Sequence, residues 1–103
     1  PEVVFITAEV NPEFNGDVFT YLSKSLKYPI IPQENGVQGK VICQFVVNRD
    51  GSITDIEVVR GVDKYLDAEA VRVIKTMPAW KPGKMNGKPV RVKVTLPVVF
   101  RLM

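Results

Sequence analysis

The side chains that most often carry chemistry are nearly missing from this sequence: there is no His, and Cys43 is the single Cys. Without imidazole there is no side chain that titrates near neutrality by default, no His-based catalytic dyad and no usual zinc ligand set, and one thiol forms no disulfide within the chain. Cys43 sits in an alternating apolar run and reads as a small buried hydrophobe rather than a reactive thiol. Asp55 and Glu57 share one strand face, but no nucleophile or base adjoins them, and they read as solvated residues of a half-exposed strand. No catalytic residue, no metal site and no cofactor is expected, and an enzyme is the class these residues support least.

What remains is non-covalent recognition, and the charges are distributed for it. Residues 1 to 80 carry eight Lys or Arg against eleven acids, whereas residues 81 to 103 carry six basic residues and no acid. Such a stripe steers nucleic acid, anionic lipid or an acidic peptide, or it guards an exposed strand edge against aggregation; both readings stand on composition alone. With a pI of 9.2, an RNA-binding sheet is a further reading. It is disfavoured because the basic residues fall on a strand edge and loops, without the aromatic stacking platform that RNA-binding sheets display.

A chain of 103 residues with 46% hydrophobic content suits one domain with a single modest core. Charged, polar or Pro residues break every apolar run well short of the roughly 18 residues that span a bilayer. The sequence begins at Pro1, so a targeting segment and any membrane anchor are expected upstream.

The elements that must position an interaction surface follow from periodicity. Asn11 to Asp17 reads as a turn entering a helix over about 16 to 27, capped by Asn15 or Asp17, with Val18, Tyr21, Leu22, Ser25 and Leu26 at helical spacing. Pro29 and Pro32 stop it. Val41, Cys43, Phe45 and Val47 then alternate with Ile42, Gln44, Val46 and Asn48, and Asn48-Arg49-Asp50-Gly51 returns the chain into a second strand over Ser52 to Arg60 with Ile56 and Val58 inward. A second helix, capped by Asp63 or Asp67, carries Leu66, Ala70, Val73, Ile74 and Met77 on one stripe. Trp80 to Gly87 reads as an irregular loop. The last strand is the strongest signal: Val90, Val92, Val94, Leu96, Val98, Phe100 and Leu102 share one face, and Arg91, Lys93, Thr95, Pro97, Val99 and Arg101 the other. Pro97 has no amide to give a ladder, so this strand is expected at a sheet edge. The expected fold is α+β, a small, mostly antiparallel three-stranded sheet with two helices packed on one face. Residues 3 to 6 are left as a short strand or part of an N-terminal arm.

Several fragments, in their order and spacing, resemble the TonB C-terminal domain family: Tyr28-Pro29, Gly36 to Val41 with Gly39, Phe45 to Ile53 with Gly51, Asp67 to Ala70, Met77 to Gly83 with Trp80, Pro82 and Gly83, Asn86 to Val90, and Leu96 to Phe100. The likeness covers about residues 13 to 103, which sets a TonB C-terminal-like domain at 13–103 behind an arm at 1–12. Where the family commonly has a small Ala four residues after the Tyr, this chain has Pro32, a stiffer connection. Apart from the likeness, Tyr28-Pro29 fixes an extended helix exit with its ring against the sheet, and Trp80 reads as core rather than as an exposed anchor.

The resemblance implies the periplasmic part of an energy transducer, tethered to the inner membrane by an upstream helix and coupled there to motor proteins. It implies a partner, the N-terminal TonB box of outer-membrane TonB-dependent transporters, added as an extra strand beside the last one. The expected binding edge is Arg91, Val92, Lys93, Val94, Thr95, Leu96, Val98, Val99 and Arg101, with Arg91, Lys93 and Arg101 steering acidic flanks. No nucleic acid partner is expected. A strand-swapped homodimer is the form an exposed edge invites. Similar domains also occur on membrane sensors and peptidase-type signalling proteins, which would use the same edge for an internal or partner peptide.

Overall fold

A computed structural model describes residues 3–102; Pro1, Glu2 and Met103, the outer limits of the expected arm and domain, lie outside the described residues. The elements run β1 (Val4–Phe5), α1 (Val18–Ser25), α2 (Ile30–Glu34), β2 (Gly39–Val47), β3 (Ile53–Arg60), α3 (Lys64–Lys75), β4 (Gly83–Met85) and β5 (Lys88–Phe100). The sheet order is β1-β5-β2-β3, with β4 pairing β5 off that path. The α+β class expected from sequence is found; among the described residues the expected three strands are five and the two helices three.

The core forms where the alternating faces meet the helices. Val41, Cys43, Phe45 and Val47 of β2 and Leu96, Val98 and Phe100 of β5 are buried together with Leu22 of α1 and Leu66, Ala70, Val73 and Ile74 of α3. Both longer helices therefore cover the same face of the sheet. Asp17 caps α1 by accepting the amides of Phe19 (3.0 Å) and Thr20 (3.3 Å). Asp63 caps α3 in the same way, through Tyr65 (2.8 Å) and Leu66 (3.3 Å). Asp67 instead accepts from the Val62 amide (3.0 Å), fastening the loop that enters α3.

α1 is held against α3 by polar contacts at its far end. The Tyr21 hydroxyl donates to the Thr76 carbonyl (2.9 Å). Glu69 accepts from the Lys27 amide (2.7 Å) and from Arg72 Nε (2.7 Å), while Arg72 Nη2 donates to the Ser25 carbonyl (3.1 Å). The hydrogen bond from Arg72, ahead of the Lys27 amide and the nearby charges, holds the Glu69 carboxyl below its ordinary pKa despite a partial desolvation that works the other way.

Three departures from the sequence reading have local physical causes. Pro32, read as a helix stop, lies buried inside α2, where the first turn has no amide partners to lose. Residues 83–85, read as loop, pair with Lys88–Val90 as a hairpin closed by Asn86-Gly87 with φ of 51° and 75°, the left-handed pair that a two-residue turn needs. In β3 the period-two pattern slips: Asp55 takes φ 55° at a bulge, two residues oppose one of β2, and Ile53 packs against the core beside Ile56 and Val58.

Trp80 is core, 7% exposed, with its ring edge-on to Phe14 (5.5 Å) and Phe45 (5.4 Å). Its amide donates to the Gly51 carbonyl (2.9 Å), and a Cβ at Gly51, whose φ is +85°, would fall 2.0 Å from the Trp80 carbonyl oxygen. Gly51 is thus demanded twice, by its turn and by this approach.

Cys43 lies in the centre of the core, and burial, followed by the charge of Asp67, pushes its thiol up from an ordinary 9.0 to about 11. Because the folded value lies above the unfolded one, the protein keeps this contribution in full below about pH 9 and loses it as the pH rises towards 11, a decline of order 2 to 3 kcal/mol. Urea unfolding across pH 7 to 11 should show a steeper alkaline loss of stability in the unaltered protein than in Cys43→Ala; parallel curves would contradict it.

Candidate functional site

The β2–β5 ladder decides which backbone groups are available to a partner. It runs without a register shift from Gly39↔Phe100 to Val47↔Val92 and passes straight through Ile42↔Pro97. Asn48 gives its amide to the Ser52 carbonyl across the hairpin (2.8 Å). Alternation along β2 then turns Ile42, Gln44 and Val46 towards β3 and Val41, Cys43, Phe45 and Val47 towards β5. On β5 the even-numbered residues Val92 to Phe100 bond to β2, and the odd-numbered residues direct their amides and carbonyls to the outer flank. Pro97 falls in the outward set, where its missing amide leaves the ladder intact.

The outer flank is partly filled. β1 pairs with β5 in parallel, Val4 opposite Arg91 and Phe5 opposite Val92. The arm then turns back, exchanging amide and carbonyl bonds between Val10 and Lys84 (3.1 and 2.8 Å) and between Glu13 and Lys81 (3.0 and 2.8 Å). β5 is thus an inner strand where it was expected to be an edge: Val4 and Phe5 lie alongside Arg91 and Val92 and occupy the outward groups of Arg91 and the Lys93 amide, and Arg101 lies one residue past the strand end. Among the described residues no strand covers the outer flank from Lys93 to Phe100. The Lys93 amide is taken by the Phe5 carbonyl, as the parallel pairing of Phe5 opposite Val92 requires, so the open groups there are the amides of Thr95 and Val99 and the carbonyls of Lys93, Thr95, Pro97 and Val99.

Side chains divide along the same alternation. Val92, Leu96 and Val98 are buried in the protein, and Val94 is packed against the core, so these expected contact residues can serve a partner through the strand's shape and not by their side chains. Lys93, Thr95 and Val99 are exposed on the face away from the helices, where Thr95 Oγ1 accepts from Gln44 (3.2 Å). Arg91 Nε donates to Asn48 Oδ1 (2.8 Å), and Arg91 lies 3.5 Å from Asp55, so its charge is committed within the domain. Of the three cations expected to steer a partner, Lys93 and Arg101 flank the open stretch.

The remaining motif residues act in the framework. The Tyr28 hydroxyl donates to the Val37 carbonyl and its ring stands edge-on to Phe100 at 5.6 Å, closing the C-terminal end of the core. Gly39 opens β2, and Pro82 leads into Gly83, whose backbone lies close against the Val92 side chain. Sequence reasoning missed Phe19, 56% exposed on α1. It lies with Leu22, Ser23, Leu26, Val99 and Arg101 around a cleft of about 310 Å³ beside the open flank. The signal was in the sequence as a second helical stripe, Phe19-Leu22-Ser23-Leu26, next to the one that enters the core.

The fold agrees with the comparisons. The family described as Gram-negative bacterial TonB protein C-terminal matches residues 24–102, and the chain belongs to that family. Protein TonB of Helicobacter pylori, strains J99 and 26695, is 37% identical over 68 residues in each case. That match takes in 65% of this chain and 24% of each relative, so the chain spans about a quarter of their length. Two NMR solution structures of the H. pylori TonB-CTD are similar in fold at 28% identity. One has a TM-score of 0.60, covering 82% of this chain and 88% of its own, and the other a TM-score of 0.63, covering 82% and 76%.

The alternation makes a direct prediction for hydrogen exchange. The amides of Val94, Leu96 and Val98 should exchange slowly, and those of Thr95 and Val99 much faster. Truncating residues 1–7 should add Arg91 and Lys93 to the fast set. Uniform protection from Val94 to Val99 would show that the flank is not open.

Proposed function

We propose that this chain is the periplasmic C-terminal domain of a TonB-type energy transducer, and that the open flank of β5 receives the N-terminal TonB box of outer-membrane transporters as an added strand. In this reading an upstream region tethers the domain to the inner membrane and its motor proteins, and the grip on the transporter passes on work drawn from the proton-motive force. Family membership supports the coarse part of the proposal. The observation that carries the docking is the row of unpaired backbone groups from the Lys93 carbonyl to Val99, a template that an extended polypeptide completes.

The geometry favours a reversible grip. Two amides and four carbonyls, at roughly 0.5 to 1.5 kcal/mol net for each bond made, supply about 3 to 9 kcal/mol, from which the cost of ordering the incoming segment is subtracted. The arm adds competition, because a strand continuing along β5 past Val92 meets the turn of Ile6, which is 85% exposed beside Lys93. Only two residues of β1 are paired, so a partner can displace them at small cost. A second copy of the chain pairing along the same flank would give a strand-exchanged homodimer, which a transporter segment would have to undo.

Substitutions separate backbone pairing from charge. Thr95→Pro removes an outward amide without touching the β2 ladder, so it should preserve the thermal transition and lower affinity for a synthetic transporter N-terminal peptide by about tenfold or more. Lys93→Glu should weaken binding less, and its effect should fade with added salt. Calorimetry giving the reverse order would remove backbone pairing as the main source of affinity.

A further inference from the structure

We infer that the cleft between α1 and the open flank of β5 is a side-chain subsite that takes an apolar residue of an incoming extended polypeptide, with Arg101 receiving an acidic residue next to it. The inference rests on the strand-addition reading of the same flank and adds what that reading lacks, a sequence preference in the partner.

Strand geometry dictates where the partner's side chains go. Residues opposite one another on neighbouring strands point to the same face. On β5, Val98 and Phe100 face the helices and are buried, while Thr95 and Val99 face away and are exposed. A strand laid along the outer flank must therefore send every second side chain towards the helices. At the Val98–Phe100 end it meets Phe19, Leu22 and Leu26 of α1, which line the cleft with Val99. The intervening side chains point to solvent.

The wall of this cleft is fixed before a partner arrives. Val18, Tyr21 and Leu22 anchor α1 in the core, Asp17 caps it at Phe19 itself, and the Tyr21–Thr76 and Arg72–Ser25 bonds tie it to α3. Phe19 nevertheless stays more than half exposed and lies outside the buried core. An apolar side chain entering the cleft would bury that ring, whereas a polar one would give up hydration without a partner.

Charge narrows the occupant further. Arg101 is the single ionisable side chain among those lining the cleft, and residues 81 to 103 contain no acid to neutralise it from the same segment. The fitting ligand has extended backbone for the unpaired amides, a Val-, Leu- or Ile-like side chain for the cleft and a carboxylate beside it. A free lipid or small apolar molecule would satisfy only the second of these.

Two capped synthetic heptapeptides test the inference: one alternating Thr and Val and ending in Glu, the other with Ser in place of each Val. Affinities for both are read by NMR titration against the unaltered protein and against Phe19→Ser, Arg101→Gln and Thr95→Pro. Because Phe19 is exposed, Phe19→Ser should leave thermal unfolding nearly unchanged. It should weaken the Val peptide by about five- to tenfold and the Ser peptide by less than about twofold. Arg101→Gln should weaken the Glu-ended peptide and leave a Gln-ended version unaffected. If the unaltered protein binds neither peptide, the strand-addition reading and this one fall together. If the Val peptide binds and is lost with Thr95→Pro, yet Phe19→Ser changes nothing or weakens both peptides equally, the subsite alone is overturned.

Discussion

The antiparallel ladder between β2 and β5 assigns every residue of β5 both a face and a flank. Nine pairs in unbroken register, from Gly39↔Phe100 to Val47↔Val92, place Leu96, Val98 and Phe100 over the same core as Val41, Cys43 and Phe45. A slip of one residue would bring Lys93, Thr95 and Val99 under the helices and expose the apolar set. That penalty fixes the register, and the fixed register in turn decides which amides point away from the sheet. The open flank is thus a by-product of how the core is packed.

The sheet has a second outer flank, on β3, and the two differ in a way that matters for recognition. β3 carries irregularities at Asp55 and again in the register between Ile42 and Cys43, so its spacing of donors and acceptors is broken. Bulges of this kind discourage a strand from pairing with another chain. β5 is regular over the same length, interrupted only by Pro97 and guarded by Lys93 and by two residues of the arm. Natural domains suppress edges that they do not use; here the suppression falls on β3, and β5 is covered lightly.

Much of this was legible in the sequence because it follows from period. The thirteen-residue strand β5, the stripe Leu66-Ala70-Val73-Ile74 and the turn at Gly51 stand where alternation, helical spacing and turn chemistry put them. The pieces that escaped depend on tertiary contact. Two residues of parallel strand, Val4 and Phe5, have no periodic signature, so the arm's pairing with Arg91 and Val92 was not visible. Pro32 within α2 was hidden by a rule about helix interiors that does not hold in a first turn. β4 is different: Asn86-Gly87 is a strong hairpin signal, masked in the sequence by Pro82, Gly83 and Pro89 around it. For the candidate site, alternation located the strand, but neither the arm over its first part nor the cleft beside its last part shows in a pattern of residue types.

The account reduces to one geometric statement about contact, and isotope-filtered NMR of the domain with a bound transporter-type peptide addresses it without relying on any substitution. The account predicts short backbone-to-backbone distances between the peptide and Lys93 to Val99 of β5, with peptide side chains alternating between α1 and solvent. Contacts along Thr54 to Val59 of β3, or on the sheet face with no backbone pairing at β5, would contradict it.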